Sequence, residues 1–182
     1  MDKSVKKEKQ GSKAPAKRNL LPVAAAAVAL ICAAGVFIAN RSVTEPKSGA
    51  GGAEAITAGN ALVIPVSSVT EQAVFYPVEV DGTEMEVLAI RASDGTIRTA
   101  FNTCQSCYTS GQGYYTMQDE ELVCNNCGFH FSPDQVEVSS GGCNPWPIFE
   151  ENKTVTEDSI SISYEFLSQS RDIFANWKTA VR

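Results

Sequence analysis

Four cysteines carry the most specific chemical signal in this chain. They stand as Cys104-Gln105-Ser106-Cys107, then sixteen residues, then Cys124-Asn125-Asn126-Cys127. A C-x-x-C turn sets two sulfurs on one side of a tight loop, at a separation that one metal ion accepts. Two such turns at the tips of neighbouring hairpins close a tetrahedral sulfur site. The spacing C-x2-C-x16-C-x2-C falls inside the zinc-ribbon pattern. Gly128 follows the second pair and suits a knuckle that needs a residue at positive φ. Cys104, Cys107, Cys124 and Cys127 are therefore the expected ligands of a metal or cluster.

A fifth cysteine, Cys143, lies in Gly141-Gly142-Cys143-Asn144-Pro145-Trp146-Pro147. That stretch is permissive at one end and rigid at the other, as a loop that holds one sulfur against a site would be. An extra ligand, an exchanging thiolate and a structural cysteine are all open readings of it. His130 is the single histidine. Between Phe129 and Phe131 it reads as a packed, hydrogen-bonded ring rather than a ligand. One histidine excludes a Rieske centre and a three-histidine zinc site. C-type haem is excluded too, because Tyr108 follows Cys107 and Gly128 follows Cys127. Disulfides are the competing use of cysteine outside the cytoplasm, but five cannot all pair. A thioredoxin-like dithiol would sit in a βαβ pattern, which is missing. No phosphate loop, nucleophile elbow, nucleophile–base pair or carboxylate dyad stands out, and a four-thiolate site leaves no open position for substrate. An electron carrier or metal-binding protein is expected rather than an enzyme.

The elements that must position these sulfurs read mainly as strands. Val74–Val80 and Glu84–Ile90 flank Asp81-Gly82-Thr83, a hairpin signal. Ser93-Asp94-Gly95 repeats the device before Thr96–Phe101. Ser159–Phe166 alternates, with Ile160, Ile162, Tyr164 and Phe166 on one face, which predicts a half-buried strand. Ser168–Thr179 reads as a short closing helix with Ile173, Phe174 and Trp177 at helical spacing. The expected fold is a small, mainly antiparallel β-barrel or sandwich carrying zinc-ribbon-like cysteine knuckles, with a short C-terminal helix and one N-terminal transmembrane helix.

That last helix is read from Leu20–Ala39, twenty residues without a charge. At about 1.5 Å per residue they make about 30 Å of helix, one hydrocarbon thickness. Residues 1–18 hold seven Lys/Arg against Asp2 and Glu8. That basic flank predicts a cytoplasmic tail over 1–19, an uncleaved anchor over 20–39 and an outward-facing remainder. Cys32 is then an apolar residue of the anchor. Residues 40–60 are rich in Gly, Ala and Ser and read as a flexible linker, leaving 61–182 as one folded, extracytoplasmic domain. Residues 41–182 hold eight basic against nineteen acidic residues. A domain that acidic repels a phosphate backbone, so no nucleic acid is expected as a partner.

The run Thr99-Ala100-Phe101-Asn102-Thr103-Cys104-Gln105-Ser106-Cys107-Tyr108, with Ser110-Gly111-Gln112-Gly113-Tyr114, Leu122-Val123-Cys124-Asn125-Asn126-Cys127-Gly128, Phe131 and Gly141-Gly142-Cys143-Asn144-Pro145 with Pro147-Ile148, resembles the FtrD-like family of membrane iron–sulfur proteins. The resemblance covers about residues 74–170. It implies a membrane-anchored bacterial domain with an iron–sulfur cluster or iron, passing electrons in iron uptake beside an iron permease or reductase membrane complex. It carries that cofactor onto Cys104, Cys107, Cys124, Cys127 and Cys143. Spacing by itself favours zinc in a structural ribbon that serves as an interaction module. A metal-delivery protein, with Cys143 as a labile ligand and an acidic surface concentrating cations, is a further alternative.

Overall fold

The computed structural model describes residues 52–138 and 140–179. The expected tail, the expected span over 20–39 and Cys32 lie outside the described residues. Within them no helix is long and apolar enough to cross a membrane. The strands are β1 (Glu54–Ala55), β2 (Ala61–Pro65), β3 (Val74–Val80), β4 (Thr83–Arg91), β5 (Ile97–Cys104), β6 (Tyr115–Gln118), β7 (Glu121–Cys124), β8 (His130–Phe131), β9 (Pro145–Pro147), β10 (Thr154–Val155) and β11 (Ser159–Ser163). They are followed by the helix α1 (Tyr164–Gln169).

The strands form three sheets, in the orders β1-β3-β4-β5-β9, β10-β11-β2 and β6-β7-β8. Every pairing among them is antiparallel except that of β1 with β3. The expected hairpin is present. Asp81 and Gly82 join β3 to β4 with φ of 49° and 77°. Two successive positive φ values match the right-handed twist of the flanking strands, which is why an Asp-Gly pair is chosen there. At the next turn Asp94 accepts from the Thr96 N–H at 2.9 Å, and Gly95 takes φ 83°.

The five-stranded sheet is covered on both faces. Successive side chains of a strand point to opposite faces. On β4, Met85, Val87 and Ala89 join one apolar cluster with Leu62, Ile64, Ile160, Ile162 and Leu167. Leu88 and Ile90 join a second cluster with Ala100, Cys104, Tyr115, Leu122 and Cys124. Each fully buried Leu or Ile contributes about 1.5–3 kcal/mol. The β10-β11-β2 sheet and α1 therefore close one face of the central sheet, and the β6-β7-β8 sheet closes the other. The result is layered like a sandwich; the three sheets do not merge into one closed barrel.

Three boundaries differ from the sequence reading. Glu54–Ala55 pairs with β3 and Ile56 is buried, so residues expected at the end of a linker belong to the fold. The strand expected over Ser159–Phe166 stops at Ser163. The Ser163 hydroxyl accepts from the Phe166 N–H at 3.3 Å, and that cap turns the remaining residues into α1. Phe166 still packs inward, stacked on Phe101 at 5.7 Å between ring centroids. The helix expected over Ser168–Thr179 is thus shifted back. After α1 the chain makes only a 3-10 turn at Arg171–Phe174, where Phe174 meets Phe101 and Trp177 edge-on.

Candidate metal centre

Cys104 is the last residue of β5, and Cys124 is the last residue of β7. Both cysteine pairs therefore begin where a strand runs out and the chain turns. In the first turn the Cys107 N–H bonds the Cys104 carbonyl at 3.2 Å, and the Cys104 N–H bonds the Gly113 carbonyl at 2.6 Å. In the second, the Gly128 N–H bonds the Cys124 carbonyl at 2.8 Å, with Gly128 at φ 69°. The Asn125 N–H donates to the Tyr114 carbonyl at 2.8 Å, which ties one knuckle to the other. The pairing of β5 with β9 shifts register between Phe101 and Cys104. The regular ladder is thus interrupted at the end of β5 that carries the first thiol.

The Cys143 loop is fastened to the first knuckle from within. Gln105 accepts from the Gly141 N–H at 2.7 Å through Oε1, and donates to the Pro145 carbonyl at 3.3 Å through Nε2. The Gln105 N–H donates to the Asn144 carbonyl at 3.1 Å. The buried Tyr115 hydroxyl donates to the Cys143 carbonyl. Gly141 and Gly142, at φ 94° and 68°, supply the left-handed turn that brings the loop back.

These elements gather all five sulfurs. The thiols of Cys104, Cys107 and Cys143 lie within 4.8 Å of one another, and so do those of Cys107, Cys124 and Cys127. Cys127 and Cys143 are 3.6 Å apart, sulfur to sulfur. A tetrahedral ion with metal–sulfur bonds of about 2.3 Å spaces its thiolates about 3.8 Å apart, so the arrangement has the dimensions of a metal–thiolate centre. The donor set is sulfur throughout, which suits zinc, iron and iron–sulfur clusters. Cys104, Cys107 and Cys124 are buried, Cys143 is half-buried and Cys127 is exposed. His130 is not in the cluster. It is exposed, and its Nδ1 lies 2.9 Å from a Glu121 carboxylate oxygen.

The thiols perturb one another. The Cys124 thiol, donating to Cys104, holds Cys104 down to about 5; burial opposes this, while the Tyr115 hydroxyl and the Ser106 and Cys107 N–H groups reinforce it. Burial pushes Cys107 up to about 12 against a bond from Asn126, with Cys104 adding to the rise. Cys124 is raised by the hydrogen bond it gives Cys104 and then by burial. Partial desolvation works against ionising Cys127. The Phe129 N–H and the thiols of Cys124, Cys143 and Cys107 outweigh it and hold Cys127 low. Cys143 is raised by its bond to Cys127, by burial and by its charged neighbours. Sequence reasoning missed Gln105, Gly113 and Tyr115, which position the sulfurs. The one signal for Gln105 was its place inside a C-x-x-C turn.

A family model described as membrane iron-sulfur containing protein, FtrD-like, matches residues 69–174, more than half of the chain and all five of these cysteines. No curated protein and no solved structure matches the chain.

Proposed function

Because the chain belongs to the FtrD-like family of membrane iron–sulfur containing proteins, we propose that it is a membrane-anchored, extracytoplasmic electron carrier acting in iron uptake. In this reading Cys104, Cys107, Cys124, Cys127 and Cys143 hold an iron–sulfur cluster or iron. The observation that carries it is the convergence of five thiols, with the exposed Cys127 and half-buried Cys143 on the outer side. When bound, the group would supply a one-electron couple. The chain's part is to bind it, to exclude water on the Cys104, Cys107 and Cys124 side, and to aim N–H groups at sulfur. The N–H groups of Ser106, Cys107, Asn126, Cys127 and Phe129 serve as such donors. Hydrogen bonds to cluster sulfurs and solvent exposure are the levers that set a reduction potential. An exposed ligand edge also gives a membrane permease or reductase a short path to the centre.

The test is metal analysis with visible and electron paramagnetic spectra on the full-length chain purified anaerobically. Iron, colour and a paramagnetic signal that appears or disappears on reduction are expected. A colourless protein with one tightly held zinc would replace this reading with a structural ribbon, which the C-x2-C-x16-C-x2-C spacing favours. The outward orientation rests on the uncharged run 20–39 and its basic flank. Protease added to intact spheroplasts should remove a C-terminal tag; protection until lysis overturns that topology.

A further inference from the structure

We propose that the centre holds two metal ions rather than one, with Cys107 as the sulfur they share. The proposal rests on the reading that these thiols bind metal, and goes beyond it by fixing nuclearity and ligand roles. The five sulfurs are not equivalent. The Cys104–Cys107–Cys143 and Cys107–Cys124–Cys127 groups have Cys107 in common, so its sulfur lies within 4.8 Å of all four others, and the groups also touch where Cys127 meets Cys143 at 3.6 Å and Cys124 bonds Cys104. Each group presents one ion with three thiolates. The groups are built by different elements. Cys104 and Cys143 are coupled through Gln105 and the Gly141–Pro145 loop, whereas Cys124 and Cys127 belong to the turn between β7 and β8.

Charge points the same way. Cys104, Cys107 and Cys124 sit in an apolar cluster with Leu88, Ile90, Tyr115, Leu122 and Phe131. The five basic residues among those described are occupied elsewhere. Arg91 bonds the Gly95 and Val69 carbonyls, Arg98 pairs with Asp94, Lys153 with Glu137, Arg171 with Asp81 and Lys178 with Glu86. No cation among the described residues therefore offsets the sulfur charge. Four thiolates on one divalent ion leave a net charge of −2, with a fifth thiol idle beside them; five thiolates on two such ions leave −1. Uncompensated charge in an apolar site is strongly disfavoured, so the second ion is the better match to this pocket. Thiol protons displaced by the ions pass to solvent.

Cobalt(II) is the probe. The full-length chain, purified anaerobically in detergent and stripped by a chelator, is titrated while sulfur-to-cobalt absorption and the paramagnetic signal are followed. Absorption is expected to saturate at two equivalents. The paramagnetic signal should grow over the first equivalent and shrink over the second, as the ions couple through a common sulfur. Cys143→Ser should fall to one equivalent, and Cys107→Ser should lose tight binding of both. If Cys107→Ser does not fold, the wild-type and Cys143→Ser stoichiometries decide. Saturation at one equivalent in both proteins, or two equivalents with additive, uncoupled signals, overturns the shared-sulfur centre and leaves a thiolate metal site standing. No sulfur-to-cobalt absorption at any ratio overturns the metal-binding reading itself.

Discussion

Five thiols in one small pocket cannot all be ionised without metal, and the side chains divide accordingly. Cys104 and Cys127 are held low, whereas Cys107, Cys124 and Cys143 are raised. Near neutrality the metal-free centre therefore keeps protons on the three raised thiols, and metal must displace them. Full loading should release at least three protons per chain at pH 7, one from each raised thiol, because each ligating sulfur must be a thiolate. Apparent affinity for a divalent ion should accordingly rise with pH through the neutral range. Calorimetric titration in two buffers of different ionisation enthalpy measures the release. A value near five would mean that no thiol is pre-ionised, and a value near zero that all five already are. The cysteines themselves were legible in the sequence, since C-x-x-C pairs at this spacing have few other uses. Tyr115 and Gln105 were not. A buried hydroxyl bonding the Cys143 carbonyl, and an amide bridging the first knuckle to the Cys143 loop, exist only once the loops are folded together.

At the scale of the knuckles, two glycines carry different constraints. Gly113 lies where a Cβ would overlap the backbone carbonyl of Cys107, while its φ is not in the left-handed region. Gly128 has open space around its Cβ position but takes φ +69°. Overpacking typically costs about 1–3 kcal/mol, and backbone that also carries a ligand cannot give way cheaply. A left-handed conformation costs a non-glycine residue about 1–2 kcal/mol. Gly113→Ala should therefore lower both thermal stability and metal content. Gly128→Ala should lower stability alone, and Gly128→Asn should recover part of it, since Asn tolerates that region. Thermal melts with metal analysis on the three variants check the order; greater metal loss in Gly128→Ala than in Gly113→Ala would reverse the assignment. The Gly128 requirement was visible in the sequence as a glycine after a C-x-x-C pair. The Gly113 requirement was not, because it comes from a close approach between two segments. The same contrast holds at α1. The alternation of Ile160, Ile162, Tyr164 and Phe166 predicted a longer strand. The Ser163 cap, a local hydrogen bond, ended it without moving Phe166 off the core.

Over the whole domain, the sulfur centre belongs to only one of two cores. One face of the central sheet is closed by Leu62, Ile64, Ile160, Ile162 and Leu167 and contains no cysteine. The other is closed by Tyr115, Leu122, Phe131 and Val136 together with four of the five cysteines themselves. The sequence made each strand of β3, β4 and β5 legible through its turns and apolar runs. It did not show that both faces would be covered, because a run such as Val87-Leu88-Ala89-Ile90 fits a doubly buried strand or a buried helix equally well. The division has a consequence for metal removal. Where a site forms only on folding, metal-binding free energy is also folding free energy. The β6–β8 sheet is short, and its apolar side rests on the thiols. The loop to Cys143 keeps a separate fastening, in which buried Lys153 pairs with Glu137 at 2.6 Å and Glu137 accepts from the Thr99 N–H at 2.7 Å. Stripping the metal under reducing conditions should therefore speed amide hydrogen exchange sharply at residues 104–107, 115–131 and 141–144. Protection in β2, β3, β4 and β11 should be retained, and Thr99, held by Glu137, should stay protected as well. Exchange mapped by mass spectrometry on metal-loaded and stripped protein makes the comparison. Collapse of protection across both faces would mean that the two cores fold as one unit. Unchanged exchange around the cysteines would mean that this layer stands without metal.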